Sequence, residues 1–201
     1  MSANFDSSKM YTYLKGFAMG LEWSDTLSAL TFARTAHKDQ LRKGGEPYIV
    51  HPLTVACHAI ALNLKEDSLV AAAILHDVPE DCGVRWKNLP VSDYTKDVVR
   101  RLTHIKGEPL APYYREIGEN RTASMVKLLD RCDNVSTMAG VFSEEKIHQY
   151  IQETREFVLP LLRQTKDHWP GESNALFVLK YHICSVIDGL EKCLDAQKNA
   201  G

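Results

Sequence analysis

The sequence lacks a long apolar run, paired cysteines and an excess of one charge. No apolar stretch reaches the roughly 18 residues that a membrane span needs, and the N-terminal segment lacks the pattern of a secretion signal. The five cysteines include no CxxC pair, so we expect reduced thiols. With 24 Lys and Arg against 26 Asp and Glu, no overall field attracts nucleic acid or a membrane. We therefore expect a cytoplasmic protein that binds neither.

Helical periodicity recurs through most of the 201 residues, whereas sustained two-residue alternation is absent. These patterns predict an all-α fold. The length suits one domain over residues 1–201, with an N-terminal extension at 1–22 and a C-terminal helix at 172–197. Further helices are expected at about 24–36, from 52, and at 93–103, 121–138 and 144–165. The segment 106–120 contains several Pro and Gly residues and is expected to be partly irregular.

The most apolar helix is expected to begin at Asp67 or Ser68 and to continue through Leu69–Leu75, which are all apolar. Pro79 lacks an N–H donor and should kink or end this helix near Val78. That places His76 and Asp77 at the end of a buried helix, where an unpaired charge would cost several kcal/mol.

A bound metal ion would offset the cost of burying His76 and Asp77. His51 and Asp130 also lie beside apolar sequence and are the best candidates for two further ligands. Two imidazoles and two carboxylates suit Mn²⁺, Fe²⁺ or Zn²⁺ in a hydrolytic site. Taken singly, each residue is more often a hydrogen-bonded core histidine or a solvated or capping aspartate.

Three motifs follow one another along the chain: Arg42-Lys43 leading to Tyr48-Ile49-Val50-His51-Pro52, then His76-Asp77-Val78-Pro79-Glu80-Asp81, then Lys127-Leu128-Leu129-Asp130-Arg131-Cys132-Asp133-Asn134. In this order they resemble the motifs of the HD-domain metal phosphohydrolases, in particular the hydrolase domain of the RelA/SpoT alarmone enzymes and the small alarmone hydrolases. The resemblance implies a single HD-domain helical bundle over residues 1–201. It also implies one metal ion, commonly manganese, held by His51, His76, Asp77 and Asp130. Pro79 departs from the family pattern, which usually has another residue there.

Glu80 and Asp81 follow the proposed ligands by about one helical turn, and the resemblance makes them the groups that orient or deprotonate the attacking water. Without the resemblance they are equally well explained as exposed loop acids. Arg42 and Lys43 lie in a glycine-containing loop that could bind phosphate while the arginine stacks on a base. A solvated basic loop is the commoner alternative, and the resemblance favours substrate binding.

Asn134 and Thr137 lie four and seven residues after Asp130, so one helix face would carry the ligand, an amide and a hydroxyl. The resemblance assigns Asn134 to the ribose, whereas an isolated threonine such as Thr137 more often bonds its own helix. Lys146 and Tyr150 are one turn apart, and relatives place a basic residue and a tyrosine there, near the distal phosphate.

The resemblance implies metal-dependent hydrolysis of the 3′-pyrophosphate of (p)ppGpp or (p)ppApp, which gives the 5′-nucleotide and pyrophosphate. A synthetase domain does not fit within 201 residues, so alarmone synthesis is not expected. Two alternatives remain open: another HD phosphohydrolase, such as a nucleotidase or phosphodiesterase, and a catalytically silent nucleotide-binding or antitoxin module. The sequence is compatible with a homo-oligomer and leaves the guanine or adenine preference open.

Overall fold

The computed structural model describes residues 6–200, and in this range the regular structure is helical, with one isolated β-bridge between Leu41 and Pro47. The all-α prediction is therefore confirmed. None of the helices in this range is both long and apolar enough to cross a membrane. The α-helices are α1 (Ser7–Gly20), α2 (Ser24–Ala36), α3 (Val50–Ala61), α4 (Asp67–Leu75), α5 (Val78–Asp81), α6 (Asp93–Leu102), α7 (Leu110–Gly118), α8 (Arg121–Thr137), α9 (Glu144–Glu153), α10 (Leu159–His168) and α11 (Ser173–Ala200).

Helix α4 is the centre of the core, as its apolar sequence predicts. Every residue from Leu69 to Leu75 is fully buried, and α2, α3, α6 and α8 pack around it. A helix without a polar face has no side that suits contact with water, so neighbouring helices must cover it on all sides. The two ends of α4 are consequently where polar side chains meet the core.

The break after α4 comes three residues earlier than the sequence predicts. Regular α-helix ends at Leu75 instead of near Val78, and α5 then forms a separate short turn with Pro79 near its start. Leu75 is the residue whose carbonyl would accept the missing N–H of Pro79 and would clash with its ring. His76 and Asp77 therefore lie in the link between two helices.

The predicted N-terminal extension contains a helix that belongs to the core. Residues 1–5 of the predicted segment lie outside the described residues, and α1 begins at Ser7, where the Asp6 side chain accepts hydrogen bonds from the N–H groups of Ser8 and Lys9. Leu14 and Ala18 of α1 are fully buried, and the helix packs against α2 and α3.

The irregular segment predicted at 106–120 is largely helix α7. Its two prolines do not prevent this, because Pro109 precedes the helix and Pro112 lies in the first turn, where the N–H groups have no helical acceptor. The helix predicted at 144–165 is interrupted by a π-helical turn at Thr154–Val158 before α10. Pro160 cannot donate to the carbonyl four residues earlier, which is the physical reason for the interruption.

Candidate metal centre

The four predicted ligands come from three elements that meet at the end of α4. His51 lies in the first turn of α3, His76 and Asp77 lie in the link after α4, and Asp130 lies in the middle of α8. Because α3 and α8 both pack against α4, their polar side chains converge where the apolar helix stops. Convergence of these four side chains was predicted from the sequence.

The distances place the four side chains around one point. Nε2 of His51 lies 3.2 Å from Oδ1 of Asp130 and 3.4 Å from Oδ2 of Asp77. Nε2 of His76 lies 3.3 Å from Oδ1 of Asp77 and 3.5 Å from Oδ1 of Asp130. One ligand atom from each of His51, His76 and Asp77 lies within 4.8 Å of the others. This spacing fits donor atoms that face a single ion.

The histidines present the correct nitrogens to such an ion. Nδ1 of His76 lies 2.8 Å from the Ala73 carbonyl, to which it donates, while the buried Nε2 atom has no hydrogen-bond partner. A buried nitrogen without a partner is costly unless another group satisfies it. Two imidazole nitrogens and two carboxylates form a donor set that suits a divalent transition metal. The residues present therefore fit a divalent metal site.

The charges in the cluster stabilise one another. Burial alone would lower the pKa of His51, but hydrogen bonding to Asp130 and Asp133 raises that pKa to about 10. Burial favours the neutral carboxyl of Asp130, but the Lys127 charge and the His51 hydrogen bond hold its pKa well below the usual range. The imidazole charges likewise lower the pKa of Asp77 against the effect of burial. These contacts thus favour the ionised form of both carboxylates.

Three side chains outside the predicted ligand set hold it in position, and sequence reasoning gave none of them a role. The Tyr48 hydroxyl donates a 2.6 Å hydrogen bond to Oδ2 of Asp77. Nζ of Lys127 lies 3.1 Å from Oδ2 of Asp130, whereas Oδ1 of Asp130 faces the two histidines and also accepts from Asn134. Oδ2 of Asp133 lies 2.6 Å from Nδ1 of His51. The helical spacing of residues 127, 130 and 133 was the available signal, because residues three apart on a helix are neighbours.

Glu80 and Asp81 lie on α5, directly after the predicted ligands, and both are exposed. Oε1 of Glu80 accepts a 2.6 Å hydrogen bond from the His104 N–H, so its carboxylate is anchored to the segment after α6. Although the residue as a whole is exposed, partial desolvation of its carboxylate raises the pKa of Glu80. The hydrogen bond from the His104 N–H and the Lys127 charge oppose this shift, and the charges of Asp77 and Asp81 add to it. Burial, the Asp77 carboxylate and, to a smaller extent, the Asp81 carboxylate raise the pKa of the Tyr48 hydroxyl.

Three of the predicted substrate-binding residues are in contact with one another: Arg42, Asn134 and Thr137. The guanidinium of Arg42 donates to Oδ1 of Asn134 at 3.1 Å and to Oγ1 of Thr137 at 3.3 Å. Thr137 also bonds the Asp133 carbonyl of its own helix at 3.0 Å, as the commoner reading of an isolated threonine predicts. Asn134 donates to Oδ1 of Asp130 at 2.5 Å, so this group is continuous with the candidate metal centre.

Lys43, Lys146 and Tyr150 surround one ring, that of Phe142, which sequence reasoning did not single out. Nζ of Lys43 lies 4.8 Å and Nζ of Lys146 lies 5.4 Å from the centre of the Phe142 ring. The Tyr150 ring packs edge-on against it at 5.5 Å. Two ammonium groups on one aromatic ring form a local positive cluster that the balanced overall charge does not reveal.

The fold and the site together define an all-helical protein with a buried cluster of two histidines and two aspartates at the end of its central helix. Residues 29–105 match the family described as HD domain. The matched range contains His51, His76 and Asp77, and Asp130 follows it in the sequence.

Several curated relatives are similar to part of the chain. The chain is 36% identical over 143 residues to a guanosine-3′,5′-bis(diphosphate) 3′-pyrophosphohydrolase of Aquifex aeolicus, which covers 66% of this chain and 20% of the relative. It is 30% identical over 153 residues to the bifunctional (p)ppGpp synthase/hydrolase SpoT of Escherichia coli K12, with 70% of this chain and 22% of the relative covered. The chain thus spans about a fifth of the length of these relatives.

A solved structure has a similar fold. It is described as a metazoan ortholog of SpoT that hydrolyzes ppGpp and plays a role in starvation responses, and it matches with a TM-score of 0.63 at 21% identity. The match covers 83% of this chain and 95% of that structure. Similarity at this level of identity supports the helical architecture described above.

Proposed function

We propose that this chain hydrolyses the 3′-pyrophosphate of nucleotide alarmones, (p)ppGpp or (p)ppApp, and releases pyrophosphate and the 5′-nucleotide. The observation that carries the proposal is the contact chain from the metal-ligand cluster to the basic loop: Asp130 to Asn134, and Asn134 to Arg42. The proposed metal centre and the groups proposed to bind the nucleoside are therefore adjacent. Similarity to proteins named as 3′-pyrophosphohydrolases supports the choice of substrate.

His51, His76, Asp77 and Asp130 would hold the metal ion, for which we propose Mn²⁺, with Fe²⁺ or Zn²⁺ as alternatives. A divalent ion bound there supplies positive charge that polarises a phosphoryl oxygen and increases the acidity of water. Lys127 neutralises the carboxylate oxygen of Asp130 that faces away from the histidines, and Tyr48 fixes Asp77.

Glu80 is the proposed proton acceptor for the attacking water, with Asp81 beside it. Its raised pKa makes its carboxylate a better base than an ordinary surface glutamate. The hydrogen bond from the His104 N–H keeps this carboxylate in one orientation. A positioned base of this kind contributes about 10²–10⁴-fold to typical rates.

The remaining predicted residues would bind the nucleotide. Arg42, Asn134 and Thr137 would contact the nucleoside, since they offer a planar guanidinium, an amide and a hydroxyl in one place. Lys43 and Lys146, which both lie against the Phe142 ring, would bind phosphate groups, and Tyr150 packs against the same ring.

The direct test incubates the purified protein with guanosine tetraphosphate or adenosine tetraphosphate, with Mn²⁺ or with EDTA, and measures released pyrophosphate. Metal-dependent release from either nucleotide is expected, and Asp77→Ala should abolish it. Release of phosphate from nucleoside monophosphates, or cleavage of cyclic nucleotides, in place of pyrophosphate release would favour another HD phosphohydrolase. Nucleotide binding without turnover would favour the silent binding module.

A further inference from the structure

Asp133 is a buried carboxylate that lies between the basic loop and the candidate metal centre. Its side chain is 7% exposed, and its Oδ2 atom contacts two groups: Nδ1 of His51 at 2.6 Å and NH1 of Arg42 at 3.1 Å. His51 is a proposed metal ligand and Arg42 a proposed nucleotide contact. One oxygen atom therefore joins the two halves of the proposed site.

The contact with His51 determines what the imidazole can offer to a metal ion. Nε2 of His51 faces Asp77 and Asp130 at 3.4 and 3.2 Å, so this nitrogen must be unprotonated when it binds a metal. The single ring proton is then on Nδ1, which donates a hydrogen bond to Oδ2 of Asp133. A carboxylate behind a metal-binding histidine fixes the ring orientation and increases ligand basicity, and its loss typically costs 10–100-fold in metal affinity.

The contact with Arg42 anchors the loop. Arg42 lies between α2 and α3, in a segment whose only regular feature among the described residues is the bridge from Leu41 to Pro47. Its guanidinium is held by Asp133, Asn134 and Thr137, all on α8, and its side chain is 19% exposed. Of these three partners, Asp133 is the charged one, so its removal should release the arginine most.

We propose that Asp133 is a positioning residue that holds both the metal ligand His51 and the nucleotide-binding Arg42, so that each binding event depends on the same carboxylate. The nucleotide half of this proposal rests on the proposed function, and the metal half rests on the His51 geometry alone. In this proposal Asp133 itself contacts neither the metal ion nor the nucleotide. Its effect is transmitted through the orientation of two other side chains.

The test measures the two binding events separately in Asp133→Ala. Mn²⁺ affinity is measured without nucleotide, from the electron paramagnetic resonance signal of free Mn²⁺, and guanosine tetraphosphate affinity is measured in EDTA, which prevents turnover. We expect Mn²⁺ affinity to fall about 10–100-fold and nucleotide affinity to fall about as much as in Arg42→Ala. The double variant Arg42→Ala/Asp133→Ala should bind nucleotide no more weakly than Arg42→Ala alone, because contacting residues act non-additively.

Two further variants separate positioning from general damage. Asp133→Asn keeps an oxygen acceptor for His51 and should recover part of the Mn²⁺ affinity, whereas Asp195→Ala removes an exposed aspartate of α11 and should change neither affinity. Circular dichroism checks that each variant is folded. Wild-type Mn²⁺ affinity in a folded Asp133→Ala protein would overturn the metal half. Additive losses in the double variant would overturn the nucleotide half, and a wild-type protein that does not bind the nucleotide would refute the proposed function together with that half.

Discussion

The Tyr48 hydroxyl donates a 2.6 Å hydrogen bond to Oδ2 of Asp77, and the tyrosine ring stacks on His37 with 4.7 Å between ring centres. His37 is itself buried, so the tyrosine is fixed from behind while its hydroxyl holds a predicted metal ligand. Asp77 follows the broken end of α4 and has no regular helix to orient it. Tyr48 therefore holds the Asp77 carboxylate in position, as Lys127 holds the carboxylate of Asp130.

Tyr48→Phe should weaken Mn²⁺ binding with little change in folding. The substitution removes one hydrogen bond to a charged group, which typically contributes about 1.5–3 kcal/mol, so we expect about a 10–100-fold loss of affinity. Titration of the metal-free protein with Mn²⁺ measures this. Tyr181→Phe is the matched control, because Tyr181 is 70% exposed on α11. Equal affinities for Tyr48→Phe and wild type would show that Asp77 does not depend on the tyrosine.

Asp77→Ala and Glu80→Ala should separate metal binding from proton transfer. Asp77→Ala removes a predicted ligand and should lose both Mn²⁺ and pyrophosphate release. Glu80→Ala should retain Mn²⁺ and lower kcat by about 10²–10⁴-fold, because only the proton acceptor is lost. Metal content after gel filtration and the rate of pyrophosphate release are the two measurements. Normal turnover by Glu80→Ala would rule out its role as the base.

The candidate ligands could be predicted from the sequence because the sequence shows that polar groups must be buried there, which costs free energy unless they have partners. His76 and Asp77 directly follow seven apolar residues, so a partner for them is required wherever the helix lies. The bond from His51 to Asp133, in contrast, joins residues 82 positions apart and depends on the packing of α3 against α8. No local pattern encodes such a distance, and the role of Asp133 became visible only in the structure.

The errors in the predicted helices have a common origin in proline. Pro79 predicts the correct region, but the helix ends at Leu75, whose carbonyl loses its hydrogen-bond donor, and not at Val78, which precedes the proline ring. Pro109 and Pro112 contribute to the expectation of a partly irregular segment at 106–120, although they lie before and within the first turn of α7. The position of a proline within a helix decides its effect, and that position depends on where the helix begins.

Mn²⁺ should raise the melting temperature of the protein. Only the folded chain brings His51, His76, Asp77 and Asp130 together, so binding stabilises the folded state by about 2.7 kcal/mol at a concentration 100 times the dissociation constant. For a chain of this size we expect an increase of about 5–10 °C. Thermal unfolding with and without Mn²⁺ measures it, and Asp77→Ala should show no increase. An equal increase in that variant would mean that the ion binds elsewhere.

Arg131 forms a buried ion pair behind the candidate metal centre, and its partner is Glu153 of α9. The guanidinium contacts the Glu153 carboxylate and the Tyr114 hydroxyl, and that hydroxyl donates a 2.7 Å hydrogen bond to the same carboxylate. The Arg131 side chain is 4% exposed. Glu153→Gln would leave the Arg131 charge buried without this counterion, which costs about 3 kcal/mol or more. Chemical denaturation at neutral pH should show a loss of stability of this size.

The stabilisation by Glu153 should disappear in acid. Burial favours its neutral form, but the Arg131 charge and the Tyr114 hydrogen bond lower the pKa of Glu153 below its usual value of 4.5. The folded protein therefore holds this carboxyl proton more weakly than the unfolded chain does. The contribution is complete above about pH 4.5 and is lost as pH falls through the lowered pKa of the folded state. The difference in unfolding free energy between wild type and Glu153→Gln should consequently narrow below that pH, and a difference independent of pH would show that the ion pair does not stabilise the fold.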